Sequence, residues 1–208
     1  MCGIVGLFLK DKSLEADLGR MLSEMLVTMT DRGPDSAGIA VYNSHQGGQT
    51  KITVQADHPQ TDFDGLEKKL RTAIGANVKM DVRDTHAVLT VPQASLNSTM
   101  AELRQLDPLI RIMGHGESIE IYKEVGLPET VVNRFDIAKM TGTHGIGHTR
   151  MATESAVTTM GAHPFNTGSD QCLVHNGSLS NHNSLRRKLR RENIRIETDN
   201  DTEVAAAY

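Results

Sequence analysis

Met1-Cys2-Gly3-Ile4-Val5-Gly6-Leu7-Phe8-Leu9 is the stretch whose reading decides the fold. The apolar run 4–9 is short and predicts a buried strand. A nucleophilic side chain stands at its start. Removal of Met1 would leave Cys2 with two reactive groups, a thiol titrating near ~8.5 and an α-amine near ~8. The amine can act as base for its own thiol, directly or through one water. Gly3 leaves bare backbone beside the sulfur, which reads as room for a substrate. Cys2 is therefore either a nucleophile mounted on a strand or the second residue of a frayed terminus, and this stretch alone does not choose.

The bulk properties narrow the classes. The 208 residues fit one domain, or one domain with a sizeable insertion. A chain of this size buries roughly 70% of its extended surface, so no staple is needed. Aromatic content is 3% and there are 10 methionines, which predicts an aliphatic core. The net charge of −4 weighs against nucleic acid or an anionic membrane as partner. Cys2 and Cys172 make no disulfide framework, which fits a reducing cytoplasm. The N-terminus has no basic lead, and its apolar run is too short for a signal peptide. Gly3 is not adjacent to Met1, so the myristoylation pattern is absent. No stretch approaches the ~20 apolar residues of a membrane span.

Along the chain, Leu14, Leu18, Met21, Leu22, Met25, Leu26 and Met29 recur at helical spacing and predict an amphipathic helix over 14–29. Asp31-Arg32-Gly33-Pro34-Asp35-Ser36 is a turn by composition. The stretches 37–42 and 51–54 read as a hairpin around 44–48. The segment 55–140 changes character. It predicts helices over 63–73 and 98–106, strands over 85–91, 110–113 and 118–122, and a short helix from Pro128 to Phe135. It reads as a small inserted α+β segment used for docking or regulation. Beyond 141 the chain is dense in Gly, His, Asn and Thr. Strands are predicted over 147–152 and 171–175, with a loop at 163–165. A basic helix is predicted over 181–192, its charges forming a solvated face. A further strand is predicted over 194–196, and a last helix capped by Asn200, with Glu203 completing a capping box. Cys172 reads as a core thiol.

Three late clusters bear on Cys2. Gly147-His148-Thr149-Arg150-Met151-Ala152-Thr153 ends a strand with a guanidinium, a planar fork for a carboxylate. His175-Asn176-Gly177 can aim a side-chain amide and a backbone N–H at one point, as an oxyanion hole requires. Asp199-Asn200-Asp201-Thr202-Glu203 sets a carboxylate at a helix start, where it can receive an ammonium or merely cap the helix. Together they describe a pocket for an amino acid with an amide side chain, and glutamine has that layout.

With these residues assembled, the sequence resembles the class II glutamine amidotransferases, which belong to the N-terminal nucleophile hydrolases. The matching pieces are Cys2-Gly3-Ile4, Arg32-Gly33-Pro34-Asp35-Ser36, Gly147-His148-Thr149-Arg150, Ala162-His163-Pro164, His175-Asn176-Gly177 and Asp201-Thr202-Glu203, in family order. They span both ends of the chain but not the 55–140 insertion. The resemblance implies Cys2 as nucleophile with its own amine as base, and Asn176 and Gly177 as oxyanion hole. It implies Arg150, Thr153 and Asp201 around the substrate, with Arg32, His148 and His163 in support. It also implies one amidotransferase domain over 1–208, of α+β class, built as a four-layer αββα sandwich of antiparallel sheets. Glu154 stands where some family members have histidine. The chain stops at Tyr208 where the family sandwich continues, so either it is a fragment or a partner completes the layers.

The insertion and the run 147–177 are most similar to the glutaminase-type subunit of glutamate-synthase-like systems, including N-methylglutamate synthase. That resemblance implies L-glutamine as substrate and separate synthase subunits carrying FMN and iron–sulfur clusters, with no cofactor in this chain. Two other classes stay open. One is a non-catalytic assembly subunit that keeps the fold. The other is a metal-dependent hydrolase using His144, His148, His163 and His175. Against the latter, Gly145 and Gly147 oppose a helical ligand face, and on a strand the first pair lies far apart. The expected metal content is none.

Overall fold

The computed structural model describes residues 2–43, 47–106, 108–152 and 156–208. The chain begins with β1 (Gly3–Phe8), α1 (Leu18–Thr28), β2 (Ser36–Tyr42) and β3 (Gln49–Gln55). Then come α2 (Pro59–Asp62), α3 (Leu66–Ile74), β4 (Lys79–Arg83), β5 (His86–Pro92) and α4 (Leu96–Gln105). They are followed by β6 (Arg111–Gly116), β7 (Ile119–Val125), α5 (Pro128–Arg134) and β8 (His144–Arg150). The last elements are β9 (Phe165–Gly168), β10 (Gln171–Leu173), α6 (His182–Arg191) and α7 (Asp201–Ala207). The architecture is α+β with antiparallel sheets. One sheet has the order β1-β8-β2-β7, a second β4-β5-β3-β6, and β9 and β10 pair separately.

Each packing face follows from periodicity. Leu18, Leu22 and Leu26 recur every fourth residue on α1 and are fully buried. They meet Ala37, Ile39 and Val41, the alternate residues of β2 that face the helix, together with Val131, Phe135 and Ile137. Two glycines of β8 let the helix come close. A Cβ on Gly145 would stand 2.7 Å from Leu22 Cδ2, and one on Gly147 would stand 2.9 Å from Leu26 Cδ1. Burying one such leucine contributes roughly 1.5–3 kcal/mol. On the second sheet, Ile52 and Val54 of β3 and Ala87, Leu89 and Val91 of β5 pack on Leu66, Leu70 and Leu103 of α3 and α4. Ala40, Met113, Ile119 and Ile121 form a further cluster, and Ile121 N donates to Thr53 Oγ1 at 3.3 Å, joining β7 to β3. α6 and α7 close over Leu189, Ile196 and Val204.

Several expectations need correction. β2 pairs with β7 and β8 whereas β3 pairs with β5 and β6, so the two strands lie in different sheets and form no hairpin. Part of the expected turn, 44–46, lies outside the described residues. β6 and β7 likewise divide between the sheets. The segment 55–140 thus supplies β7 to the first sheet as well as strands to the second. The start of the expected first helix is a 3-10 turn over Lys12–Asp17, capped by Asp11. Residues 194–196 are not a strand; Ile194 and Ile196 instead pack into the cluster of α6 and α7. Asn200 does cap α7 by accepting from Thr202 N at 2.9 Å. Glu203 does not complete the box, because its carboxylate accepts from Glu197 N (2.7 Å) and Thr198 N (2.6 Å). β4 carried no strand signal, since Lys79, Asp81 and Arg83 alternate with nothing buried at an edge. No helix of the described residues is long and apolar enough to cross a membrane.

Candidate active site

β1 pairs antiparallel with β8 in a register that sets Gly3 opposite Thr149, so Cys2 emerges beside Arg150 and Met151. Cys2 Sγ lies 3.8 Å from the Met151 carbonyl. Gly3 N donates to Thr149 Oγ1 at 3.2 Å. A Cβ on Gly3 would stand 2.8 Å from that hydroxyl and 2.9 Å from Met29 Cβ. The bare backbone is therefore filled by the protein itself rather than left for substrate, which corrects the reading of Gly3. The Cys2 carbonyl accepts from Arg32 Nε at 3.3 Å and from Asn176 Nδ2 at 2.9 Å.

The turn before β2 is pressed against β8. A Cβ on Gly33 would stand 2.5 Å from the Thr149 carbonyl carbon. Two residues later Asp35 N donates to Arg150 O at 3.1 Å, and Asp35 Oδ2 accepts from Ala152 N at 2.7 Å. Asp35 thus fixes the exit of β8 beside the thiol. Arg150 is buried, and its Nη1 donates to Ala156 O at 3.2 Å.

The 175–179 loop ties β8 to α7. His148 Nε2 donates to His175 O at 3.0 Å, and His175 Nδ1 lies 3.2 Å from Thr202 Oγ1. Asp201 Oδ2 accepts from Leu179 N at 2.6 Å. A Cβ on Gly177 would meet His175 Nε2 at 2.8 Å, so this turn tolerates no larger residue without moving the ring. His148 and His163 stack with centroids 4.0 Å apart. Burial lowers His148 to about 4 and His163 to about 2, the latter also opposed by His148. Both rings are therefore neutral near pH 7.

A cavity of about 520 Å³ is lined by Cys2, Arg150, Asn176, Gly177 and Asp201, with His163 in its wall. Every sequence-predicted catalytic residue and both predicted clamps therefore meet in one place. Thr153 lies outside the described residues, as does Glu154. Arg32 and His148 touch the site through the main chain of Cys2 and His175. Asp35 belongs to the turn motif 31–36, whose composition carries no signal of its contacts with Arg150 and Ala152. Among the described residues no three of His, Cys, Asp and Glu gather as a metal site. His144 stacks on Tyr42 at 4.1 Å instead. Cys172 is half-buried 3.5 Å from Tyr42 Oη, less enclosed than expected, and burial raises its pKa.

Residues 136–208 match the family described as the glutamine amidotransferase domain. Over all 208 residues the chain is 64% identical to the glutamine amidotransferase-like protein GlxB of Rhizobium meliloti (strain 1021), and it covers 69% of that protein. The chain belongs to the glutamine amidotransferase family. This amidotransferase is also 33% identical, over its full length, to a putative glutamine amidotransferase of Methanothermobacter thermautotrophicus, 71% of which it covers. It is 33% identical over 106 residues to the glutamine–fructose-6-phosphate aminotransferase (isomerizing) of Thermococcus kodakarensis, matching half of this chain and 18% of that enzyme. Family membership makes the amidotransferase an enzyme of amide-nitrogen chemistry, with the cavity at Cys2 as its candidate centre.

Proposed function

We propose that the chain is a class II glutamine amidotransferase of N-terminal nucleophile type, hydrolysing L-glutamine to L-glutamate and ammonia through Cys2. The observation that carries this reading is that Cys2 opens into the same cavity as Arg150, Asn176 and Asp201. Arg150 pairs with the substrate α-carboxylate and Asp201 with its α-ammonium. Thr153 belongs to the same substrate set. The Cys2 sulfur adds to the δ-amide carbon, and the carbonyl oxygen becomes an oxyanion. Asn176 Nδ2 carries two N–H groups; one is given to the Cys2 carbonyl and the second serves the oxyanion beside Gly177 N–H. One such donor is worth roughly 3 kcal/mol in the transition state. The α-amine freed by Met1 removal takes the thiol proton and passes it to the leaving nitrogen. Ammonia departs, a γ-glutamyl thioester remains, and water deprotonated by the same amine releases glutamate.

In this reading residues 1–208 are one amidotransferase domain, with 55–140 as its inserted α+β segment. The two large sheets are the inner layers of an αββα sandwich, α1 and α5 covering one and α3 and α4 the other. The ammonia goes to a glutamate-synthase-like or N-methylglutamate synthase partner in the cytoplasm. By the same resemblance FMN and iron–sulfur clusters belong to that partner; within residues 1–208, Cys2 and Cys172 are too few thiolates for a four-cysteine cluster.

Cys2→Ala decides the central point. It is expected to abolish ammonia release from glutamine, and release at the unaltered rate would refute the nucleophile. Mass spectrometry of an active preparation is expected to show Cys2 as the first residue; retained Met1 would remove the α-amine from the mechanism.

A further inference from the structure

Arg150 and the helix bearing Asp201 share an anchor that the mechanism does not use. Arg150 Nη1 donates to Ala156 O at 3.2 Å, and Asn200, which caps α7 and lines the cavity, donates through Nδ2 to Gly161 O at 3.0 Å. The loop 156–163 therefore touches both sides of the site. It is itself held by two consecutive residues of β7. Lys123 Nζ donates to Met160 O at 3.0 Å and Ala162 O at 2.8 Å, and its ammonium lies 4.4 Å from the Phe165 ring centroid. Glu124 accepts from Thr159 Oγ1.

The geometry of a strand makes this pair a clamp. Consecutive side chains point to opposite faces, and β7 is an edge strand of its sheet. A loop held by both 123 and 124 must wrap the sheet edge. Gly38, paired with Lys123 across β2, makes room on one face, since a Cβ there would stand 2.0 Å from His163 O. Glu124 is fixed on the other face by Thr85 Oγ1 at 3.2 Å and Arg134 at 3.5 Å. Lys123 is 3% exposed and Glu124 7% exposed. Burying two ionisable side chains at a sheet edge is costly unless each is hydrogen-bonded, and the bonds that offset this cost run to the loop 156–163.

We propose that Lys123 and Glu124 are positioning residues for glutamine binding: by gripping the loop 156–163 they hold Arg150 and Asp201 at the separation that the α-carboxylate and α-ammonium of one amino acid require. The inference rests on the glutaminase reading above. Neither residue lines the cavity around Cys2 or touches the reacting atoms.

The test is steady-state ammonia release from glutamine by the full chain, with Cys2 alkylation by iodoacetamide as control for the nucleophile. Lys123→Met and Thr159→Val are expected to raise KM for glutamine about tenfold, the worth of one charge-assisted hydrogen bond. Their kcat is expected to change less than about threefold, since the interaction is common to ground and transition states. Thr159→Ser, which keeps the hydroxyl, is expected to retain the lower KM. Unaltered KM in both variants would overturn the proposal, as would an equal fall in kcat with KM constant. If Lys123→Met does not fold, Thr159→Val against Thr159→Ser decides alone. A native chain that alkylates at Cys2 yet releases no ammonia would instead strike the glutaminase reading, and this inference with it.

Discussion

Asp201 has one task in the structure and a second in the proposed mechanism, and one substitution can separate them. Its Oδ2 accepts from Leu179 N at 2.6 Å, which pins the 175–179 loop to α7, and its charge faces the cavity. Asp201→Asn keeps an oxygen for Leu179 and loses only the charge. It is expected to raise KM for glutamine roughly 10- to 100-fold, as loss of a charge-assisted contact does. Asp201→Ala loses the loop anchor as well, and is expected to lower the urea midpoint where Asp201→Asn does not. Equal KM in native and Asn forms would remove the carboxylate from the clamp. Residues of this kind were legible because they carry distinctive chemistry at element ends: a thiol before a strand, a guanidinium after one, a carboxylate at a helix start. Lys123 and Glu124 were not. Ile119-Glu120-Ile121-Tyr122-Lys123-Glu124 mixes charge with apolar residues as a half-exposed strand does, yet all six are buried. What covers Lys123 and Glu124 is a loop some forty residues later, which spacing cannot reveal.

α1 and its partners carry the next argument. Gly19 sits in the first turn of α1 beneath the 137–140 segment, and Gly19 N donates to Met140 O at 2.9 Å. A Cβ there would stand 2.1 Å from Ile137 O and 2.6 Å from Met140 O. Alanine would gain about 1 kcal/mol of helix propensity over glycine. Backbone oxygens cannot rotate aside as a side chain can, so the overpacking cost of about 1–3 kcal/mol is expected to win. Gly19→Ala should therefore lower the urea midpoint; a rise would show that α1 can shift freely on its sheet. The leucine stripe of this helix was readable from period alone, because one face meets one sheet. Pairing of strands was not. β2 and β3 both show the alternation of strands, separated by a loop of hairpin length, yet they belong to different sheets. Alternation reports which face is buried and nothing about which edge is shared.

Acid stability follows from burying imidazoles in both halves of the fold. His86 packs against both Tyr122 and Phe135, and burial lowers it to about 3, with Lys123 and Arg134 opposing its charge. His148 and His163 titrate at about 4 and about 2 for the same leading reason. Each would take up a proton near ~6.5 in the unfolded chain. Above that pH all three are neutral in both states and contribute no slope. Between ~6.5 and 4 the unfolded chain binds protons that the native fold refuses, so stability falls as pH falls. At pH 5 each histidine costs about 2 kcal/mol relative to pH 7.5. Lys123 acts above this window. Burial lowers it to about 7, so from there to its unfolded value near ~10.4 stability rises with pH. The carboxylates held low, Asp57 by Arg111 and Glu120 by Lys51 and its hydrogen bonds, which outweigh the burial that opposes them, lose their contribution only below their unfolded range of about 4. The urea midpoint is therefore expected to drop steeply between pH 6.5 and 5, before carboxylate titration begins. His86→Phe, which removes one buried protonation site while keeping a ring against Tyr122 and Phe135, is expected to flatten that slope; His115 and His144, also lowered by burial, keep their share of it. A midpoint constant from pH 7.5 to 5 would mean that the native interior accepts these protons.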